Sequence, residues 1–236
     1  MEIKHACSLG PFCQSSKVVK DNNLKKCSYP FDWIFSNCDN VIHCIENDFN
    51  IFLDKSYYIE ISGNKCGHKY YNDNMWLHHD PLNNKNDYNY YTRCVDRFTS
   101  LLKFEKLKLF IMIFVNMDTI EESQNNNIIN FNNKFSKYTK NYKLLVIYHI
   151  KNKEGNHHSF THRGNIDFLE LHTISFSNGV KFINDNDNNY LNAVLSSTYK
   201  FNIENVQLYK RPSLYKIDFG RMGFTYNNQN DGKTRR

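Results

Sequence analysis

A chain of 236 residues can bury a sizeable core, and 40% hydrophobic with 15% aromatic content excludes a wholly disordered protein. The formal charge of +6 is modest and spread out, so nucleic acid is not expected as a partner. The longest apolar run, residues 107–115, is too short to span a bilayer, and no membrane association is expected.

All seven cysteines, Cys7, Cys13, Cys27, Cys38, Cys44, Cys66 and Cys94, fall in the first 94 residues. Their number is odd and no C-x-x-C pair occurs, which argues against a disulfide framework and against a zinc ribbon. No N-x-[ST] sequon occurs, and no signal peptide precedes the first strand. A reducing, cytoplasmic compartment is expected. Abundant asparagine, lysine, isoleucine, tyrosine and phenylalanine read as AT-biased coding, as in large DNA viruses or some protists; for a viral chain that compartment would be the host cytoplasm.

In chain order, residues 3–8 read as a short strand ending in Ser8-Leu9-Gly10-Pro11, and helical spacing over 13–20 begins at Cys13. A thiol at the first turn of a helix can simply pack, since free cysteine is among the most buried residue types. It can also react, because a helix N-terminus favours the thiolate. The stretch SYPFDWIF, 28–35, likewise has two accounts. Its aromatics and Pro30 can be a buried turn with Asp32 as a cap, or Asp32 can be a carboxylate tuned by an apolar setting. A helix over 41–48 and a weak strand over 57–61 follow.

The segment MWLHHD offers His78 and His79 as bases for Cys13, with Asp80 adjacent and Asp32 available from another loop to hold the imidazole. A helix over 87–104 puts Tyr91, Cys94, Val95, Phe98, Leu101 and Leu102 on one face. It also sets Arg93 and Arg97 at i and i+4, where they could clamp an anion or form a solvated, ion-paired face. Strands are predicted over 107–116, 142–150 and 168–176, and helices over 123–138 and 188–198. HHSFTHR, 157–163, carries His157, His158 and His162, matches no zinc spacing, and reads as a polar loop between strands. Residues 227–236 read as a disordered basic tail. SLGPFC lacks G-x-G-x-x-G and no Walker motif occurs, so neither a nucleotide cofactor nor a metal is expected.

This alternation predicts one α/β domain over 1–226: a three-layer, Rossmann-like arrangement with a mainly parallel sheet and helices on both faces. The run 107–116 is expected to be central and buried. Ligands in such sheets bind beyond the carboxyl ends of the strands, where Cys13 follows the first strand.

Taken together, SLGPFC (8–13), SYPFDWIFS (28–36), DFNIFLD (48–54), LHHD (77–80), R-x-x-x-RF (93–98) and LKLFIMI (107–113) form an ordered series. The series resembles a domain family of unknown function labelled putative papain-like cysteine peptidase, with the best match from residue 3 to about 116. The resemblance implies that Cys13 is the nucleophile and His79 the general base, oriented by Asp32 or Asp80. Ser8, Trp33, Arg93 and Arg97 would then contact substrate. The chain departs from true papains in placing Gln14 after the cysteine, and it has Met112 in a strand where the family carries an arginine. The expected function is thiol-dependent acyl transfer, a hydrolase of peptide or other amide bonds. The alternatives are a transferase using a sugar- or nucleotide-linked donor and a non-catalytic virus–host interaction module.

Overall fold

In a computed structural model the described residues are 2–152 and 154–208. The tail expected at 227–236 lies outside them. The chain opens with strands β1 (Glu2–Ile3) and β2 (His5–Pro11), followed by helices α1 (Cys13–Asp21), α2 (Cys38–Glu46) and the short α3 (Asn50–Leu53). Strands β3 (Tyr58–Ile61), β4 (Lys65–His68) and β5 (Asn72–Trp76) come next, then helix α4 (Lys85–Leu102). The remainder alternates β6 (Lys108–Met117), α5 (Glu122–Phe135), β7 (Tyr142–Lys151), β8 (His157–Arg163), β9 (Ile166–Thr173), α6 (Asp185–Thr198) and β10 (Lys200–Phe201).

The main sheet has five strands in the order β2-β6-β7-β9-β8. The first four are mutually parallel, and β8 closes the edge antiparallel to β9. The run predicted over 107–116 is therefore an interior strand, buried along its first six residues, although β7 is the middle one. A strand covered on both faces needs apolar residues at consecutive positions, and KLFIMIFV supplies them.

The period of two divides those residues between two apolar clusters. Ala6, Leu109, Ile111, Ile113, Leu145, Ile147, Leu169 and Leu171 pack with Val18 and Val19 of α1 and with Leu191, Val194 and Leu195 of α6. The alternate set, Cys7, Leu9, Phe110, Met112, Leu144, Val146, Tyr148 and Phe168, packs with residues of α2, α4 and α5. Phe98 of α4 is the hub of the second cluster. Its ring meets those of Tyr29, Phe31, Phe49 and Phe110 at 5.3–6.5 Å between centroids. Fully burying such a side chain stabilises by roughly 1.5–3 kcal/mol.

Two parts depart from the parallel expectation. Strands β3, β4 and β5 form a separate antiparallel sheet. Its sequence signal is weak because KCGH and NDNMW are short and polar; Trp76 holds it by packing on Tyr58, Phe52 and Tyr91. HHSFTHR is strand β8 and not a loop: an edge strand can carry polar residues on both faces, and all but Phe160 are exposed here.

Most helices begin at a side-chain cap. Asn37 accepts from the Asn40 amide, Asn84 from Asn86 and Asp87, and Asn184 from Asn186. Glu121 and Gln124 form a capping box on α5. No described helix is long and apolar enough to cross a membrane.

Candidate functional site

Cys13 sits at the first position of α1, directly beyond the carboxyl end of β2. The turn before it is tightly built. Gly10 adopts a positive φ of +89°, and a Cβ there would collide with the Ser36 hydroxyl. Ser36 in turn donates to the Leu9 carbonyl at 2.9 Å, which ties the 28–36 loop onto the end of β2. Ser8 lies inside this turn, fully buried, with its hydroxyl bonded to that of Ser15 at 2.6 Å and accepting from the Gly10 amide. It holds the turn together.

Asp32 is 2% exposed. Its Oδ2 accepts from Lys25 Nζ at 2.8 Å and from the Tyr29 amide at 2.9 Å. Lys25 also stands over the Trp33 ring at 4.8 Å. Burial raises the Asp32 pKa, and the Lys25 ammonium opposes that rise. These contacts commit the carboxylate to Lys25 and the loop, so it is not the residue that holds His79.

His79 finds a different acid. Its Nδ1 lies 3.1 Å from Asp87 Oδ1, and the other Asp87 oxygen accepts from the Asp80 amide at 2.8 Å. Asp80 accepts from the amides of Leu82 and Asn83 and from the Asn83 side chain. It therefore shapes the turn into α4, and the carboxylate hydrogen-bonded to His79 is that of Asp87. A carboxylate can only accept, so the proton of that bond resides on Nδ1 and leaves Nε2 as the free basic nitrogen. The imidazole stacks on Tyr90 at 5.1 Å and meets Tyr91 edge-on at 5.6 Å.

Tyr91 is buried beside His79. It is 2% exposed, and its hydroxyl has no hydrogen-bond partner among the described residues. Burial raises its pKa, and Tyr90, Cys94, Asp87 and Cys13 add to the rise. Tyr91 thus has the His79 ring packed edge-on against it.

The electrostatics at Cys13 run against a resting thiolate. Burial pushes the thiol above its ordinary value, its own backbone N–H works the other way, and the Asp32 carboxylate adds to the increase. At the start of α1, Gln14 N–H donates to the Gly179 carbonyl at 2.9 Å and Ser15 N–H to the Phe12 carbonyl at 3.2 Å, so neither amide is free for a ligand oxygen.

The two arginines differ in their surroundings. Arg93 is exposed. Arg97 turns toward Cys27 and Cys94, whose thiol pKa values it lowers against the larger effect of burial. It lines a small cavity with His5, Lys26 and Tyr29. The histidines of β8 are likewise dispersed: His158 pairs with Tyr190, His162 with Asp167, and His157 stacks on His172. No group of three or more His, Cys, Asp or Glu side chains able to hold a metal occurs among the described residues.

With this geometry, comparison with known proteins is informative over one segment. Residues 4–76 match the model of a family described as a putative papain-like cysteine peptidase. Neither a curated protein nor a solved structure matches the chain. The family segment contains Ser8, Cys13, Asp32 and Trp33, and it ends just before His79, Asp80, Asp87, Arg93 and Arg97. Asp87 was the residue missed from sequence. The available signal was an acid in the first turn of α4 behind the Asn84 cap, which reads first as favourable helix electrostatics.

Proposed function

We propose that this protein is a thiol-dependent acyl-transfer enzyme, a hydrolase of peptide or other amide bonds, with Cys13 as nucleophile and the His79–Asp87 pair as its base. The observation that carries the reading is the fixed imidazole: Asp87 holds Nδ1 of His79, and the ring packs on Tyr90 and Tyr91. The family match over the cysteine-bearing segment supports the same chemistry. The setting we infer is a three-layer, Rossmann-like α/β arrangement, supported by the separate apolar clusters on the two faces of the main sheet.

In this reading Cys13 rests as a neutral thiol, and its proton passes to His79 Nε2 as sulfur attacks the carbonyl carbon. The carbon–nitrogen bond then breaks and the amine leaves with that proton. Water, deprotonated by His79, cleaves the thioester, releases the acid and restores the thiol. Asp87 holds the imidazole and stabilises its charged form throughout. The natural substrate is a peptide or other amide.

The test is turnover of a fluorogenic peptide-amide library together with covalent capture by peptide vinyl sulfones. Cys13→Ala should abolish both. His79→Ala and Asp87→Asn should reduce turnover by about 100-fold or more. Undiminished turnover in Cys13→Ala, or capture at Cys27 in place of Cys13, would sink the assignment.

A further inference from the structure

The small cavity beside Arg97 has a volume of about 170 Å³ and opens where β2 begins, at the end of that strand opposite to Cys13. His5, Lys26, Cys27, Tyr29 and Arg97 line it, and the chain around 205–208 forms its outer wall. It shares no lining residue with the Cys13–His79 cluster.

The charges at this cavity are one-sided. Arg97 is half-buried and Lys26 exposed, and neither has a hydrogen bond or ion pair among the described residues. No carboxylate lines the cavity among those residues, and Asp96, the neighbour of Arg97 on α4, is not in the lining. Two acids close by are already neutralised: Asp32 by Lys25 at 2.8 Å, and Glu204 by Lys106 at 2.6 Å and Lys4 at 3.4 Å. His5 and Tyr29 are bonded to each other, and His5 Nδ1 also meets the Glu204 carbonyl. Positive charge therefore gathers here with no protein anion to answer it. A guanidinium taken partly out of water gains most from an oxyanion that it can grip with two N–H groups.

We propose that this cavity binds a phosphate group, free or as a small monoester, with Arg97 holding two oxygens and Lys26 a third. Two cations favour a dianion over a single carboxylate. The volume is below the roughly 300–1,000 Å³ of sites for drug-sized ligands, which restricts the occupant to an ion or a short ester. Cys27, half-buried in the same lining, would be screened by the bound anion. The inference is independent of chemistry at Cys13.

Inorganic phosphate and glycerol 3-phosphate are titrated into the full chain at neutral pH, with potassium chloride of equal ionic strength as the reference. The readouts are melting temperature and alkylation of Cys27 by the uncharged reagent N-ethylmaleimide. At least one compound should raise the melting temperature saturably where chloride does not, and slow alkylation of Cys27 while leaving that of Cys13 unchanged. Tighter binding of glycerol 3-phosphate would assign the site to monoesters, and tighter binding of phosphate to the free ion. Arg97→Met should weaken binding about tenfold, and Lys26→Gln about threefold. Should Arg97→Met fold poorly, Lys26→Gln and the protection of Cys27 in the unsubstituted chain decide the matter. The proposal is overturned if neither compound acts beyond chloride, if Cys27 reacts equally fast with the compound present, or if Arg97→Met binds as tightly as wild type.

Discussion

Lys25 Nζ and Asp32 Oδ2 form an ion pair at 2.8 Å in which the carboxylate side chain is 3% exposed and the ammonium 15%. A pair this deeply placed is most costly when half of it is removed. Lys25→Met should therefore destabilise the protein by about 3–5 kcal/mol at neutral pH. Burial already raises the Asp32 pKa, and losing Lys25 raises it further. An acid whose folded pKa is raised favours folding when protonated, so its charge becomes a penalty as pH climbs through that value. The difference between wild type and Lys25→Met should shrink at pH 5. Equal differences at both pH values in urea titrations would contradict the assignment.

Thiol reactivity gives a second check. Burial pushes Cys38, Cys44 and Cys94 up to about 12 and Cys66 to about 11. Cys13 and Cys27 are half-buried and raised less. Iodoacetamide at pH 8.5 should label these two first, with a Cys13 rate that keeps rising into the alkaline range. Asp32→Asn removes a carboxylate that raises the Cys13 pKa. The midpoint of its pH–rate profile should move down, as read by mass spectrometry of the labelled peptide.

Gly10 gives a steric prediction. Alanine there must adopt a positive φ and meet the Ser36 hydroxyl. Gly10→Ala should cost about 2–4 kcal/mol, and Ser36→Gly should recover only the part due to contact. Full additivity of the two changes in a double-mutant cycle would show that the contact is not felt.

His149 is fully buried, accepts from the Asn116 amide through Nδ1, and lies 2.9 Å from Thr173 Oγ1 through Nε2. Burial depresses its pKa to about 4, with the Asp187 carboxylate opposing. A histidine whose folded pKa is lowered stabilises the fold above its unfolded value and loses that contribution as pH falls. Between about pH 6.5 and 4 this group should remove up to ~3 kcal/mol. His149→Gln should flatten that limb of the pH–stability curve, as measured by chemical denaturation at each pH.

The parts of this fold that were legible in sequence are those whose burial forces a pattern. LFIMI, residues 109–113, has to be apolar at every position because β6 is covered on both faces there, and Tyr91, Cys94, Val95 and Phe98 mark the inner side of α4. The antiparallel sheet was obscured because its strands are four or five residues long and depend on Trp76 stacking with distant rings. The site was half legible. Cys13 and His79 stand out by residue type and setting, but hydrogen bonding decides which acid serves the imidazole. Asp80 is adjacent in sequence yet spends its oxygens on its own turn, and Asp87 reaches back from the next helix.

The two margins of the main sheet are closed by different means. Along β2, Ser36 occupies the Leu9 carbonyl and its amide reaches that of Pro11, while Glu204 donates to Lys4 further up. Along β8, exposed histidines and an arginine take the place of an apolar rim. A sheet so bounded gives a neighbouring molecule little backbone to zip onto. Colloidal behaviour therefore depends on a loop: loosening the 28–36 segment would uncover a strand with an apolar face, turning a local defect into a seed for fibrous association.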